Sequence, residues 1–182
     1  MQNFKDRIKH IHKELGIPSC YEAEYGLPLQ YEEENLVEIE NDIYDRKQFL
    51  AESAVSAWIN MKADAEDSGV KLEIVSAFRS VEKQKLIIKN KLNKGQCILD
   101  ILKVSAAPGY SEHHTGMAID ITTPCCKPLI EAFESTKAFI WLVNNAENYS
   151  FYMSYPKNSE NRIMYEPWHW SVHSAGAGGI SP

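Results

Sequence analysis

Apolar positions along the chain follow two periods. Between Asn3 and Gly16, the residues Phe4, Ile8, Ile11 and Leu15 recur at helical spacing. This predicts an amphipathic helix with Asn3 as its cap and Gly16 as its stop. A longer helical stripe of Leu50, Ala54, Ala57, Trp58, Met61 and Ala65 runs through Asp45–Asp67 and ends at Gly69. Leu72–Phe78 reads as a strand. Ser80 then caps a helix reaching about Leu92, which Asn93-Lys94-Gly95 breaks. Ile98–Val104 and Ser135–Asn148 read as further helices. Strands are expected at Gly116–Thr122, Phe151–Tyr155, Arg162–Tyr165 and Trp168–Val172. Pro18–Asn41 is acidic and tyrosine-rich, and is expected to be irregular with short strands. Helices that precede and interleave with strands joined by short turns predict an α+β fold, a single domain with a central antiparallel sheet flanked by helices.

Polar residues that interrupt these patterns carry the candidate chemistry. In the strand G-M-A-I-D-I-T, Met117, Ile119 and Ile121 alternate onto one face and Asp120 falls on the other. His113 lies just before it, in the run S-E-H-H-T-G-M-A-I-D opened by Pro108-Gly109. About fifty residues later comes E-P-W-H, Glu166 to His169. A straight strand would point Glu166 and His169 to opposite faces, but Pro167 removes a ladder donor and disfavours the α region for Glu166. A turn or bulge at Pro167-Trp168 brings both side chains to one cavity. Three protein ligands, an open position and a nearby base make a catalytic zinc site. His113, Asp120 and His169 supply the ligands and Glu166 the base.

These segments resemble the VanY-type D-alanyl-D-alanine carboxypeptidases, within the wider group of lysostaphin-type peptidases and hedgehog domains. Every specified position of the pattern S-x-H-x-x-G-x-A-x-D followed by E-x-W-H is met, by Ser111, His113, Gly116, Ala118, Asp120, Glu166, Trp168 and His169. A third element, S-x-[YF]-R-S-x-x-x-Q, reads S-A-F-R-S-V-E-K-Q and supplies Arg79 and Gln84. The resemblance spans roughly Leu27 to Val172. It implies a hedgehog/D,D-peptidase-like fold and hydrolysis by Zn2+-activated water, with Glu166 as the base and Arg79 stabilising the oxyanion. It also implies that Ser111 and Gln84 help position the substrate's C-terminal end. The chain departs from the family after E-P-W-H, where it continues Trp170, Ser171, Val172, His173, and at Ser150, where a glycine is usual.

The implied reaction is removal of the C-terminal D-alanine from peptidoglycan peptides. A cytoplasmic D-Ala-D-Ala dipeptidase and an endolysin-like L-Ala-D-Glu endopeptidase share the metal chemistry and differ in the groove. A metal-retaining binding module is the alternative of another class, and Glu166 and Arg79, both present, argue against it.

Composition narrows the partners. The 182 residues carry a net charge of −6 and 44% apolar residues, which fits one globular domain and no nucleic-acid partner. No stretch is long enough to span a membrane. The charged start M-Q-N-F-K-D-R-I-K-H lacks the apolar core of a secretory signal, so a cytoplasmic site is expected. The cell envelope remains open through another export route or a replaced start. A monomer is expected. Cys20, Cys97, Cys125 and Cys126 contain no C-x-x-C pair, so a structural zinc knuckle is not expected. The chain divides into an N-terminal helix and extension (1–26), the peptidase domain (27–173) and a flexible tail (174–182).

Overall fold

The computed structural model describes residues 3–159 and 162–172; the expected tail and His173 lie outside the described residues. Helix α1 (Phe4–Leu15) starts at Asn3, whose side chain accepts from the Lys5 N–H, and ends at Gly16 in the left-handed region. Helix α2 (Tyr21–Tyr25) is a short element that the acidic, tyrosine-rich composition of this stretch concealed. Strands β1 (Leu36–Glu38) and β2 (Phe49–Ala51) form a separate antiparallel pair. Helix α3 (Glu52–Asp67) therefore begins seven residues later than its apolar stripe suggested, because the backbone from Phe49 to Ala51 is committed to β1.

Strand β3 (Glu73–Ser76) leads through Arg79 into helix α4 (Val81–Asn93), where the Ser80 side chain accepts from the Lys83 N–H as predicted. Helix α5 (Ile98–Lys103) precedes the loop to strand β4 (Ala118–Thr122). The expected Ser135–Asn148 helix is shorter, α6 (Lys137–Asn145), flanked by 3-10 turns at Glu131–Ser135 and Ala146–Tyr149. Strands β5 (Phe151–Met153) and β6 (His169–Val172) complete the elements. The expected Arg162–Tyr165 strand does not form; Arg162 and Ile163 lie in a bend.

Four strands make one antiparallel sheet in the order β3-β4-β6-β5. Ile74, Ile119, Ile121, Phe151 and Trp170 pack with Trp58, Met61 and Leu142 in the core beneath α3 and α6. This is the burial that the alternating strand pattern foretold. A second cluster joins Ile8, Ile11 and Leu15 of α1 to Tyr21, Val81, Ile88, Ile101 and Tyr155. The amphipathic face of α1 is thus satisfied within the domain. No helix among the described residues is long and apolar enough to cross a membrane.

Candidate metal centre

The register of the sheet builds the centre. In the β4–β6 ladder Asp120 lies directly opposite His169, so the two side chains rise side by side from the same face. Ile119 and Ile121 turn into the core, which leaves Asp120 on the opposite face. A register shift between Ile74 and Ser76 of β3 brings Ser76 beside Asp120. His113 comes from a 3-10 turn, Glu112–Thr115, that ends at Gly116 with φ of 67°. A Cβ at Gly116 would lie 2.6 Å from the Ala51 nitrogen, whose N–H donates to the Gly116 carbonyl at 2.9 Å. Left-handed strain on a residue with a side chain costs on the order of 1–3 kcal/mol, and here the backbone clash adds to it. Gly116→Ala is therefore expected to lower the unfolding free energy, read from the shift in urea midpoint, by at least that much. An unchanged midpoint would show that this turn can relax.

Ligand atoms of His113, Asp120 and His169 all lie within 4.8 Å of one another, and all three residues are buried. His113 Nε2 is 3.3 Å from Asp120 Oδ2, and His169 Nδ1 is 3.0 Å from Asp120 Oδ1. On its other side, His113 Nδ1 donates to the Ala77 carbonyl at 2.7 Å. A carbonyl only accepts, so Nδ1 holds the proton and the Nε2 lone pair faces the centre. Two nitrogens and a carboxylate, each oriented by an outer hydrogen bond or a neighbouring strand, fit a zinc ion.

The turn at Pro167-Trp168 forms as expected, closed by the His169 N–H donating to the Glu166 carbonyl at 3.1 Å. It brings Glu166 Oε2 to 4.0 Å from His169 Nδ1. Arg79 Nη2 sits 3.4 Å from Asp120 Oδ2, and its Nη1 donates to Gln84 Oε1 at 2.9 Å. Gln84 is buried and spends its other amide end on the Ala106 carbonyl at 2.7 Å. Ser111 is buried at the head of the His113 turn, where its carbonyl accepts from the His114 N–H.

The charges are set by burial and by these contacts. Burial opposes ionisation of Asp120, yet the contact with His169 outweighs it and holds the carboxyl well below the usual carboxylate range. Burial, with Arg79 nearby, lowers His113 and keeps it neutral, the form that ligates. Burial pushes Glu166 up to about 7, with His169 pulling the other way. Arg79 is lowered by burial, against the attraction of Asp120 and Glu166.

Three residues matter more than sequence reasoning indicated. His114 is wholly buried: its Nε2 accepts from the Gly109 N–H at 3.1 Å, and its Nδ1 donates to the Arg79 carbonyl at 2.5 Å. Burial lowers it to about 4, so it serves as a neutral clamp between the metal loop and Arg79. Tyr155 lays its ring 4.9 Å from that of His169, and its carbonyl accepts from the Glu166 N–H at 3.0 Å. Glu112 Oε2 lies 2.8 Å from His169 Nε2. Its place beside His113 was the only signal available for it. All four cysteines are free, and none belongs to the metal cluster.

A family model described as VanY, D-alanyl-D-alanine carboxypeptidase, matches residues 47–175. The chain is similar to YodJ of Bacillus subtilis (strain 168), provisionally named a carboxypeptidase, at 35% identity over 90% of this chain and 62% of that protein. A D-alanyl-D-alanine carboxypeptidase of Enterococcus faecium is 27% identical over 70% of this chain and 38% of its own length. The chain thus spans less than two thirds of either relative. Among solved structures, the LdcB LD-carboxypeptidase superposes with a TM-score of 0.72 and 34% identity, covering 82% of this chain and 73% of that one. VanYB in complex with D-alanine-D-alanine gives a TM-score of 0.60 and 26% identity, covering 80% of each chain. A VanY D,D-pentapeptidase variant in complex with Zn(II) shares the fold at 22% identity and a TM-score of 0.61, covering 79% of this chain and 82% of that one.

Proposed function

Because the chain belongs to the VanY-type D-alanyl-D-alanine carboxypeptidase family, we propose that it is a zinc carboxypeptidase that removes the terminal D-alanine from peptidoglycan peptides. The observation that carries this reading is the buried His113–Asp120–His169 cluster with the Glu166 carboxylate 4.0 Å from His169. On the same reading, residues 27–173 form the peptidase domain and residues 1–26 an N-terminal helix and extension, whose Ile8, Ile11 and Leu15 cluster with Val81, Ile88 and Ile101.

His113, Asp120 and His169 would hold a zinc ion, which when bound would supply Lewis-acid polarisation and lower the pKa of a nearby water. Glu166 takes the proton of the attacking water on its carboxylate and passes it to the leaving amine nitrogen. Arg79, held by Asp120 and Gln84, sets its guanidinium charge where negative charge develops on the scissile carbonyl oxygen. Ser111 and Gln84 position the substrate's C-terminal end, Gln84 acting through the guanidinium that it holds.

A second reading has one specific observation in its favour. The solved LdcB structure, at 34% identity, is that of an LD-carboxypeptidase. The same residues would then release D-alanine from an L-configured neighbour, since the stereochemistry of the preceding residue is read by the groove and not by the metal.

The test is mass-spectrometric product analysis of the zinc-loaded protein. Its substrates are a pentapeptide muropeptide ending in D-Ala-D-Ala, a tetrapeptide ending in an L-residue and D-Ala, and free D-Ala-D-Ala. Loss of one alanine from the pentapeptide is the expected result. Cleavage of the tetrapeptide alone would move the assignment to L,D-carboxypeptidase. Cleavage of the free dipeptide alone would move it to a dipeptidase. No cleavage of any, with zinc bound, would reject the carboxypeptidase reading.

A further inference from the structure

His169 is gripped at both ring nitrogens. Nδ1 faces Asp120 Oδ1 at 3.0 Å, on the side of the metal cluster. Nε2 points the other way and meets Glu112 Oε2 at 2.8 Å. The same Glu112 oxygen accepts from Ser154 Oγ at 2.6 Å, which ties the carboxylate to the chain just after β5. The Glu112 side chain is 18% exposed, so it is largely shielded from competing water. Above the ring, Tyr155 leaves little room for the imidazole to turn.

An imidazole that ligates through Nδ1 must carry its proton on Nε2, and that proton needs an acceptor. A carboxylate only accepts when ionised. From this geometry we infer that Glu112 is the positioning residue of the metal centre: it fixes His169 as the Nε2–H tautomer and turns the Nδ1 lone pair toward the metal. The inference rests on the zinc reading above and extends it to a residue outside the ligand set. The short turn Glu112–Thr115 then does two things at once. It presents His113 as a ligand, and through Glu112 it orients a second ligand that arrives about fifty residues later on β6. Ser154, in its turn, holds Glu112.

Carboxylate partners of ligating histidines typically contribute 10- to 100-fold in metal affinity. Glu112→Ala is therefore expected to weaken zinc binding by about that factor, read by competition with a chromophoric chelator on the full chain. Glu112→Gln keeps an acceptor oxygen and removes the charge, so it should fall between wild type and Ala. Ser154→Ala, which removes one hydrogen bond to the carboxylate and leaves the carboxylate in place, should give a smaller loss than Glu112→Ala. A direct readout is the 15N shift pattern of the His169 ring in the zinc-loaded protein. It should report the Nε2–H tautomer in wild type and in Glu112→Gln, and a changed ring signature in Glu112→Ala. Wild-type zinc affinity in Glu112→Ala, or an Nδ1–H tautomer in the wild type, would overturn the inference while leaving the zinc reading intact. Failure of the wild-type protein to bind zinc would overturn both.

Discussion

Glu166→Ala should reduce peptide hydrolysis to near background in a protein that still folds and still takes up one zinc ion per chain. The expectation follows from what Glu166 touches. Its backbone is held independently of its side chain, by the Tyr155 carbonyl on one side and the His169 N–H on the other. The turn that delivers His169 to the metal cluster should therefore survive the loss of the carboxylate. What disappears is the one carboxylate beside the cluster that is assigned to carrying protons. A positioned general base contributes on the order of 10²–10⁴-fold, and kcat should drop by at least that much. The check is kcat measured in parallel with metal content by elemental mass spectrometry. Full turnover in the variant would remove Glu166 as the base. Lost metal with lost turnover would make it a structural member of the centre. Glu166→Gln, nearly isosteric, separates charge from packing and should be as inactive as Ala.

The second large effect concerns the ligands. Replacing His113, Asp120 or His169 by Ala should each leave the purified protein with far less than one zinc per chain. The three should differ in what else they disturb. Asp120 lies against Arg79, His113 and His169 at once. Its removal leaves a buried guanidinium without its carboxylate, a change that typically destabilises by about 3–5 kcal/mol. Asp120→Ala should therefore lower the denaturant midpoint as well as the metal content. His113→Ala removes a neutral ring and a single hydrogen bond to the Ala77 carbonyl, so its fold should suffer less. Zinc at normal stoichiometry in all three variants would sink the proposed site. Equal stability losses in the Asp120 and His113 variants would show that the Arg79–Asp120 contact is not where the charge is compensated.

Much of the frame was legible in residue order because the signals are local. Asn3 and Ser80 cap their helices through contacts two or three residues away. Apolar alternation at Ile119 and Ile121 marks the buried face of β4. Pro167 makes the turn before His169, and its effect on Glu166 is a property of the X-Pro bond itself. Where the reading went astray, a distant partner had overridden a local pattern. The helical stripe that includes Leu50 reaches back past residue 52, yet Phe49–Ala51 pair with β1 and the helix starts only after them. Arg162–Tyr165 has strand-like composition but no place in the four-stranded sheet.

At the centre the same division holds. Residue types and spacings in S-E-H-H-T-G-M-A-I-D and E-P-W-H were sufficient by themselves to nominate His113, Asp120, His169 and Glu166, because ligand and base chemistry is written in side-chain identity. Only the tertiary structure decided that Asp120 and His169 are cross-strand neighbours, since register depends on how the whole sheet pairs. It alone decided that Gln84 and His114 are buried supports of Arg79 and not solvated side chains. It also brought Glu112 to the far side of the His169 ring. A hydrogen bond across 57 positions leaves no periodic trace in a sequence, because its energy depends on distance and direction in space, and folding alone sets both.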